Sequence, residues 1–322
     1  MKLFKKIINH SSHLKKIKCG TYNPNSQNHL LFCTLRNEKI RMPFFLQYYR
    51  NMGIQHFFFV DNDSSDGFIE YVKGMEDITV YHTNHSYKHS EFGMNWLNFL
   101  LTQYGMGKWC LVCDPDEFLV YPNCEINKIP ELTKHLDSQN KISFYSTMLD
   151  MYPKEEKQYI EGENPLVSCP YFDKSGYTYT EITKSGSLWV RGGPRGRLLY
   201  KDDKDKSPAL NKIPLIKWHL GFYFLSSMHL CHPNAVNAAY LSQTTGAILH
   251  FKFLSTFKEK VKEEMLRGQH YDNSAEYKKY NESLNSLYFF DPKISTKYIN
   301  SNQLIKLKLI NHDKKINLYT HT

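Results

Sequence analysis

The sequence predicts an α/β protein with a mostly parallel sheet flanked by helices. Short apolar runs of high β-propensity alternate with amphipathic stretches of helical period, and nearly every run stops at a polar loop. The 322-residue chain is also 41% hydrophobic, ample for a sizeable buried core and too apolar for disorder to be its main state.

HLLFCTL (29–35) reads as a buried strand that breaks at RNEK before the amphipathic IRMPFFLQYYRNMG. IQHFFFV (54–60) is a second strand, stopped by DNDSSDG, a cluster of turn and capping residues ahead of FIEYVKGM. ITVYHT supplies a third. HSEFGMNWLNFLLTQYGMG has apolar residues at 92, 96, 97, 100 and 101 and closes on Gly105 and Gly107, the pattern of a helix. KWCLVC is a fourth strand running into DPDEFLVYP. Beyond about residue 140 the pieces are shorter: KISFYSTMLDMYP, a polar insert to CPYFD, SLWVRGGPRGRLLY with its glycine-rich turn, KIPLIKWHLGFYFLSSMHL and GAILHFKFL. LSTFKEKVKEEMLRG and SAEYKKYNESLNSL predict two closing helices.

The formal charge of +9 sits mostly at the ends, in MKLFKKIINHSSHLKKIK and LIKLKLINHDKKIN. Basic ends suit either attraction to an anionic membrane surface or a solvated tail. No stretch reaches the ~20 apolar residues that span a bilayer, and the N-terminal apolar runs fall short of a signal peptide. A cytoplasmic protein, peripheral on the inner face of the membrane at most, is expected. Tyr and Phe number 23 and 20, which suits ring-lined clefts, although biased coding explains part of the excess. The seven cysteines are odd in number and scattered, and the C-x-x-C of Cys110 and Cys113 falls in an apolar strand, so buried thiols are favoured over a redox or zinc site.

In open parallel sheets ligands bind beyond the carboxyl ends of the strands. Those ends carry RNE, DNDSSD and DPDE, and three such clusters should converge on one crevice. Carboxylates at the end of a buried strand demand a cationic partner. Asp114 and Asp116, two residues apart, can hold Mn2+ or Mg2+, which takes its remaining ligands from substrate phosphates and water. A loop merely capped by acidic residues is the plainer reading. Asp61 and Asp63 can accept from a base imide and ribose hydroxyls, while Asp66 suits a helix cap.

LRNEKIRMPFFLQYYRNMGIQHFFFVDNDSSDG followed by WCLVCDPDEFLVYP resembles the family 2 glycosyltransferases of GT-A fold, and within them the branch with a D-N-x-S-x-D-G turn and D-x-D-E-F. GGPRGR, KIPLIKW, GAILHFKF and YINSNQLIKLKLI extend the likeness along nearly the whole chain. The resemblance implies a Rossmann-like GT-A sheet and a nucleotide-diphosphate sugar donor, a UDP-sugar first. It also implies a glycan or glycolipid acceptor of surface polysaccharide or lipopolysaccharide synthesis and inversion at the anomeric carbon; no nucleic-acid partner is expected, because the acidic strand ends would repel phosphate unless a metal intervenes. Arg36, Asn37 and Glu38 would border the nucleotide pocket, Asp61 and Asp63 would meet uracil or ribose, and Asp114 and Asp116 would hold ribose and metal. The organisation expected is a basic segment (1–28), a nucleotide-sugar half (29–140), an acceptor-side half of the same domain (141–255) and a helical extension (256–322). DND stands where D-D-G is common, and no E-D pair marks the catalytic base.

Inverting transfer needs one carboxylate to take the acceptor's proton. Asp150, after the strand ISFYSTM, is the first candidate, followed by Glu181 and Asp173; each is otherwise a loop carboxylate bonded to backbone amides. Arg191, Arg195 and Arg197 around GGPRGR suit a diphosphate clamp or a solvent-facing basic hairpin. His250 reads as a metal ligand from a late segment or as a satisfied core histidine. A nucleotidyltransferase would want a glycine-rich loop after the first strand, which RNEK lacks. A noncatalytic polyanion binder is opposed by the acidic strand ends.

Overall fold

In the computed structural model, which describes residues 12–26, 29–225, 227–269, 271–283 and 287–313, the apolar runs become strands. They are β1 (Lys15–Lys18), β2 (Leu30–Leu35), β3 (His56–Asp61), β4 (Ile78–His82), β5 (Trp109–Val112), β6 (Glu117–Val120) and β7 (Ser143–Asp150). After β8 (Tyr171–Asp173), the ribbon of β9 (Thr178–Ile182) and β10 (Ser187–Arg191) precedes β11 (Asn211–Lys217). The short β12 (Tyr223–Phe224) and β13 (Cys231–His232) precede β14 (Gly246–His250) and β15 (Ser295–Lys297).

Nine of these form one sheet in the order β1-β4-β3-β2-β5-β11-β7-β14-β6. The block β4-β3-β2-β5 is parallel, as expected, and β7 runs parallel to β14. The sheet as a whole is nevertheless mixed: β1, β11 and β6 run against their neighbours. It is mixed instead of mostly parallel because KIPLIKW inserts antiparallel between β5 and β7, and because EFLV, not singled out as a strand, forms the edge strand β6. No local pattern announces either event. Strands from 29–140 and from 141–255 share this sheet through β5 with β11 and through β6 with β14.

Both faces of the parallel block are covered, which explains why its strands are continuously apolar. Alternate residues supply two cores. Leu31, Cys33, Leu35, Phe57 and Phe59 pack with Phe45 and Tyr49 of the helix Met42–Asn51, while Leu30, Phe32, Phe58 and Val60 pack with Trp96 and Leu100 of the helix Met94–Tyr104. The second helix begins at Gly93, whose φ of +80° and a Cβ position 2.9 Å from Thr34 Oγ1 leave no room for a side chain. All seven cysteines are unpaired, and Cys110 and Cys113 are buried with their thiol pKa values pushed up by burial, in keeping with core thiols. GGPRGR is not a turn but the start of the helix Gly193–Leu199, with Pro194 in its first turn, where a missing N–H costs nothing.

Candidate functional site

β2, β3, β5, β7 and β14 deliver their carboxyl ends to one edge of the sheet. β6 and β11 run the opposite way, so they bring their first residues, Glu117 and Asn211 with Lys212, to the same edge.

Lys212 is the cation that the acidic cluster demanded. Its Nζ lies 2.9 Å from Glu117 Oε1 and 3.5 Å from Asp114 Oδ2. Burial lifts Glu117 to about 6 although Lys212 pulls it down, and it disfavours charge on Lys212, yet Glu117 and Asp114 hold the lysine above its ordinary value. At neutral pH the pair is ionic.

Asp116, His250 and Asp150 form a second chain. His250 Nδ1 donates to Asp150 Oδ1 at 2.6 Å, and Nε2 lies 3.5 Å from Asp116 Oδ2. Burial alone would lower the imidazole, but Asp116 and Asp150 outweigh it and raise it to about 9, so the ring is an imidazolium between two carboxylates. Arg195 Nε donates to the other Asp150 oxygen at 2.7 Å, and its Nη1 to Glu276 Oε1 at 3.1 Å. Burial pushes Asp150 up, but Arg195 and His250 prevail and hold it below the usual carboxylate range. Lys252 lies 3.6 Å from Glu276, which also accepts from Tyr280. Beside them, Arg41 Nε donates to Glu38 at 2.7 Å and Nη1 to the Phe251 carbonyl at 3.0 Å. Glu38 also pairs with Lys260.

The loops after β2 and β3 interlock. Arg36 Nη1 donates to the carbonyls of Asn62 and Asp63, each at 2.7 Å. The Asn37 side chain accepts from the Ser65 amide at 2.8 Å, and Asp61 accepts from the Ser64 amide at 3.2 Å. Asp61 is buried, which raises its pKa, whereas Asp63 is exposed and holds a φ of +63°. Asp66 is not the cap that the sequence suggested, because Gly67 takes the N-cap position of the helix Phe68–Val72 without a side-chain cap; Asp66, one residue earlier, accepts from the Phe68 amide and from the Lys39 amide.

A helix from far along the chain, Phe257–Arg267, covers these loops. Its Glu263 accepts from Asn37 Nδ2 at 3.1 Å and lies 3.5 Å from Arg36 Nε, and Arg267 reaches Asn62 Oδ1 at 3.4 Å.

No protein-family model matches the chain, and no curated protein matches it. No helix among the described residues is long and apolar enough to cross a membrane. Part of the basic N-terminal segment, residues 1–11, and the chain's last residues, 314–322, lie outside the described residues.

The geometry therefore sorts the candidates. Arg36, Asn37, Glu38, Asp61, Asp63, Asp114, Asp116, Asp150, Arg195 and His250 meet at the sheet edge. Glu181 does not: it sits on the exposed strand β9, opposite Leu188 of β10. Asp173 is buried in a bidentate pair with Arg197, 3.1 Å on both arms, and accepts from Tyr152. That fork ties β8 to the helix Gly193–Leu199 and leaves Arg197 no place in a clamp. Lys212, Glu117, Arg41, Lys252, Glu276 and Glu263 had no assigned role in the sequence. The available signal was a lysine inside an otherwise apolar strand pattern, as in NKIPLI and HFKF.

Among the described residues no group of three or more His, Cys, Asp and Glu side chains gathers as a ligand set. An ion completed by phosphates and water needs only one or two protein carboxylates, and Asp116, with the half-exposed Asp114, fits that demand. A metal on His250 Nε2 would compete with the proton that Asp116 attracts there. A cleft of about 560 Å³, lined by Lys16, Tyr22, Thr79, Tyr104 and Lys108, opens towards the amino end of β4, away from these carboxylates.

Proposed function

We propose that this chain is a metal-assisted glycosyltransferase of GT-A type that moves a sugar from a nucleotide-diphosphate donor, a UDP-sugar first, to a glycan or glycolipid acceptor. The observation that carries the reading is the meeting of loops 36–38, 61–66 and 114–117 at one edge of a sheet whose four strands there are parallel. Loops 36–38 and 61–66 supply the acceptors and guanidinium suited to a nucleoside. Asp116 and Asp114 would hold Mn2+ or Mg2+, which supplies Lewis-acid stabilisation to the departing diphosphate.

Of the three base candidates, Asp150 alone stands at this edge. Its two oxygens are held by Arg195 and His250 and its side chain is fully buried, so taking an acceptor's proton requires the site to open around it. Its lowered pKa keeps it ionised while Arg195 and His250 orient it. The basic segment 1–18 supports a place at the cytoplasmic face of an anionic membrane.

Calorimetric titration with UDP and GDP, with Mn2+ and then with chelator, tests the reading. Binding that needs the ion is expected, followed by release of diphosphate from one member of a nucleotide-sugar panel. A protein that binds no nucleoside diphosphate under either condition is not a transferase of this kind.

A further inference from the structure

We propose that Lys252 is the residue that receives the negative charge of the departing diphosphate. The transferase reading above names the ligand; the site itself rests on the cations around Asp116. Arg41 has a carboxylate at 2.7 Å, Arg195 at 2.7 Å, Lys212 at 2.9 Å and His250 at 2.6 Å. Those four are committed to short pairs within the protein; Arg195 keeps one nitrogen, Nη2, without a partner among the described residues, but its side chain is only 4% exposed. Among the described residues the nearest carboxylate to Lys252 is Glu276 at 3.6 Å, and that group is already held by Arg195 and Tyr280. The ammonium otherwise lies over two phenol rings, Tyr277 at 4.9 Å and Tyr280 at 5.2 Å. Such rings orient a cation without neutralising it.

The backbone delivers the residue to the site: β14 ends at His250, the Phe251 amide donates to the Asp116 carbonyl at 2.8 Å, and Lys252 is the next residue along. The Lys252 side chain is 16% exposed, sheltered enough for its charge to act and open enough for an anion to arrive.

In the transfer the bond between the anomeric carbon and the diphosphate oxygen breaks, and its electron pair stays on that oxygen. The acceptor oxygen bonds to the carbon and its proton passes to the base. The diphosphate thereby gains one negative charge. A lysine ammonium with three N–H donors meets that charge without giving up a proton.

The test compares wild type, Lys252→Met and Lys252→Arg by calorimetry in Mn2+, with UDP, uridine and inorganic pyrophosphate as probes; thermal melting confirms that the variants fold. Lys252→Met should weaken UDP and pyrophosphate binding by about 10-fold or more, with uridine unchanged and the arginine variant partly restored. Wild type and Lys252→Met binding UDP and pyrophosphate alike would overturn the proposal and leave the transferase reading standing. Pyrophosphate bound by wild type and lost in Lys252→Met, with no UDP binding, would uphold the anion site and sink the sugar-nucleotide reading. A wild type that binds neither probe overturns both.

Discussion

His250 and Asp150 close the ends of two adjacent parallel strands, facing each other in register and joined Nδ1 to Oδ1 at 2.6 Å. With Arg195 on the second oxygen, Asp150 is the buried anion that two cations share. Asp150→Asn therefore removes charge as well as basicity. We expect urea unfolding to show a loss of about 3 kcal/mol, the scale for breaking a buried ion pair, and turnover to fall by ~10²-fold or more. A variant with parental stability and parental turnover would remove Asp150 from both roles.

Lys212 and Glu117 make a second buried pair, 2.9 Å apart, on β11 and β6, two strands of one sheet that are not neighbours. Glu117→Gln leaves the lysine charge only its looser contact with the half-exposed Asp114 and should cost about 3 kcal/mol. Adding Lys212→Met should recover much of it, because with both charges removed neither partner is left ionised and buried alone. Equal losses in the single and the double variant would show that the pair is not coupled.

His56 supplies a pH dependence away from the site. It is buried on β3 against Thr79 Oγ1 at 2.9 Å, and burial lowers it from the usual 6.5 to about 4, with Asp77 raising and Lys18 lowering it further along. The folded protein thus holds a neutral ring that the unfolded chain protonates below about 6.5. Its contribution is complete above that pH and is lost as the pH falls towards 4, by up to roughly 3 kcal/mol. His56→Gln should flatten this part of the stability–pH curve measured by chemical denaturation. An unchanged slope would mean the ring is already charged in the fold.

Glu263 has weaker ties, to Arg36 at 3.5 Å and Asn37 at 3.1 Å, and is partly exposed. Glu263→Ala should cost under about 1 kcal/mol globally. Locally, amide hydrogen exchange across 257–267 should accelerate. Exchange unchanged in that helix would show that its seat does not depend on these contacts.

The sequence made the parallel block legible because each strand is a short apolar run ended by turn chemistry. HLLFCTL and Leu30–Leu35 coincide to within a residue, and KWCLVC contains Trp109–Val112. Periodicity carries no partner information, so the antiparallel insertion of KIPLIKW was invisible. The same limit hid Lys212: its charge interrupts an apolar strand, but only the sheet order places it beside Asp114. Asp173 and Asp150 are both candidates for the base, and only Arg197 and Tyr152, more than twenty positions from Asp173 along the chain, distinguish them.

The seat of Glu263 on Asn37 joins residues separated by 226 positions. During synthesis, loops 36–38 and 61–66 leave the ribosome long before the helix that roofs them. A nascent chain that stops short of residue 257 can pair the strands of its sheet, yet it leaves Arg36 and Asn37 without their Glu263 contacts. Completion of this pocket is thus a late event in the life of the polypeptide, timed by the emergence of its C-terminal portion.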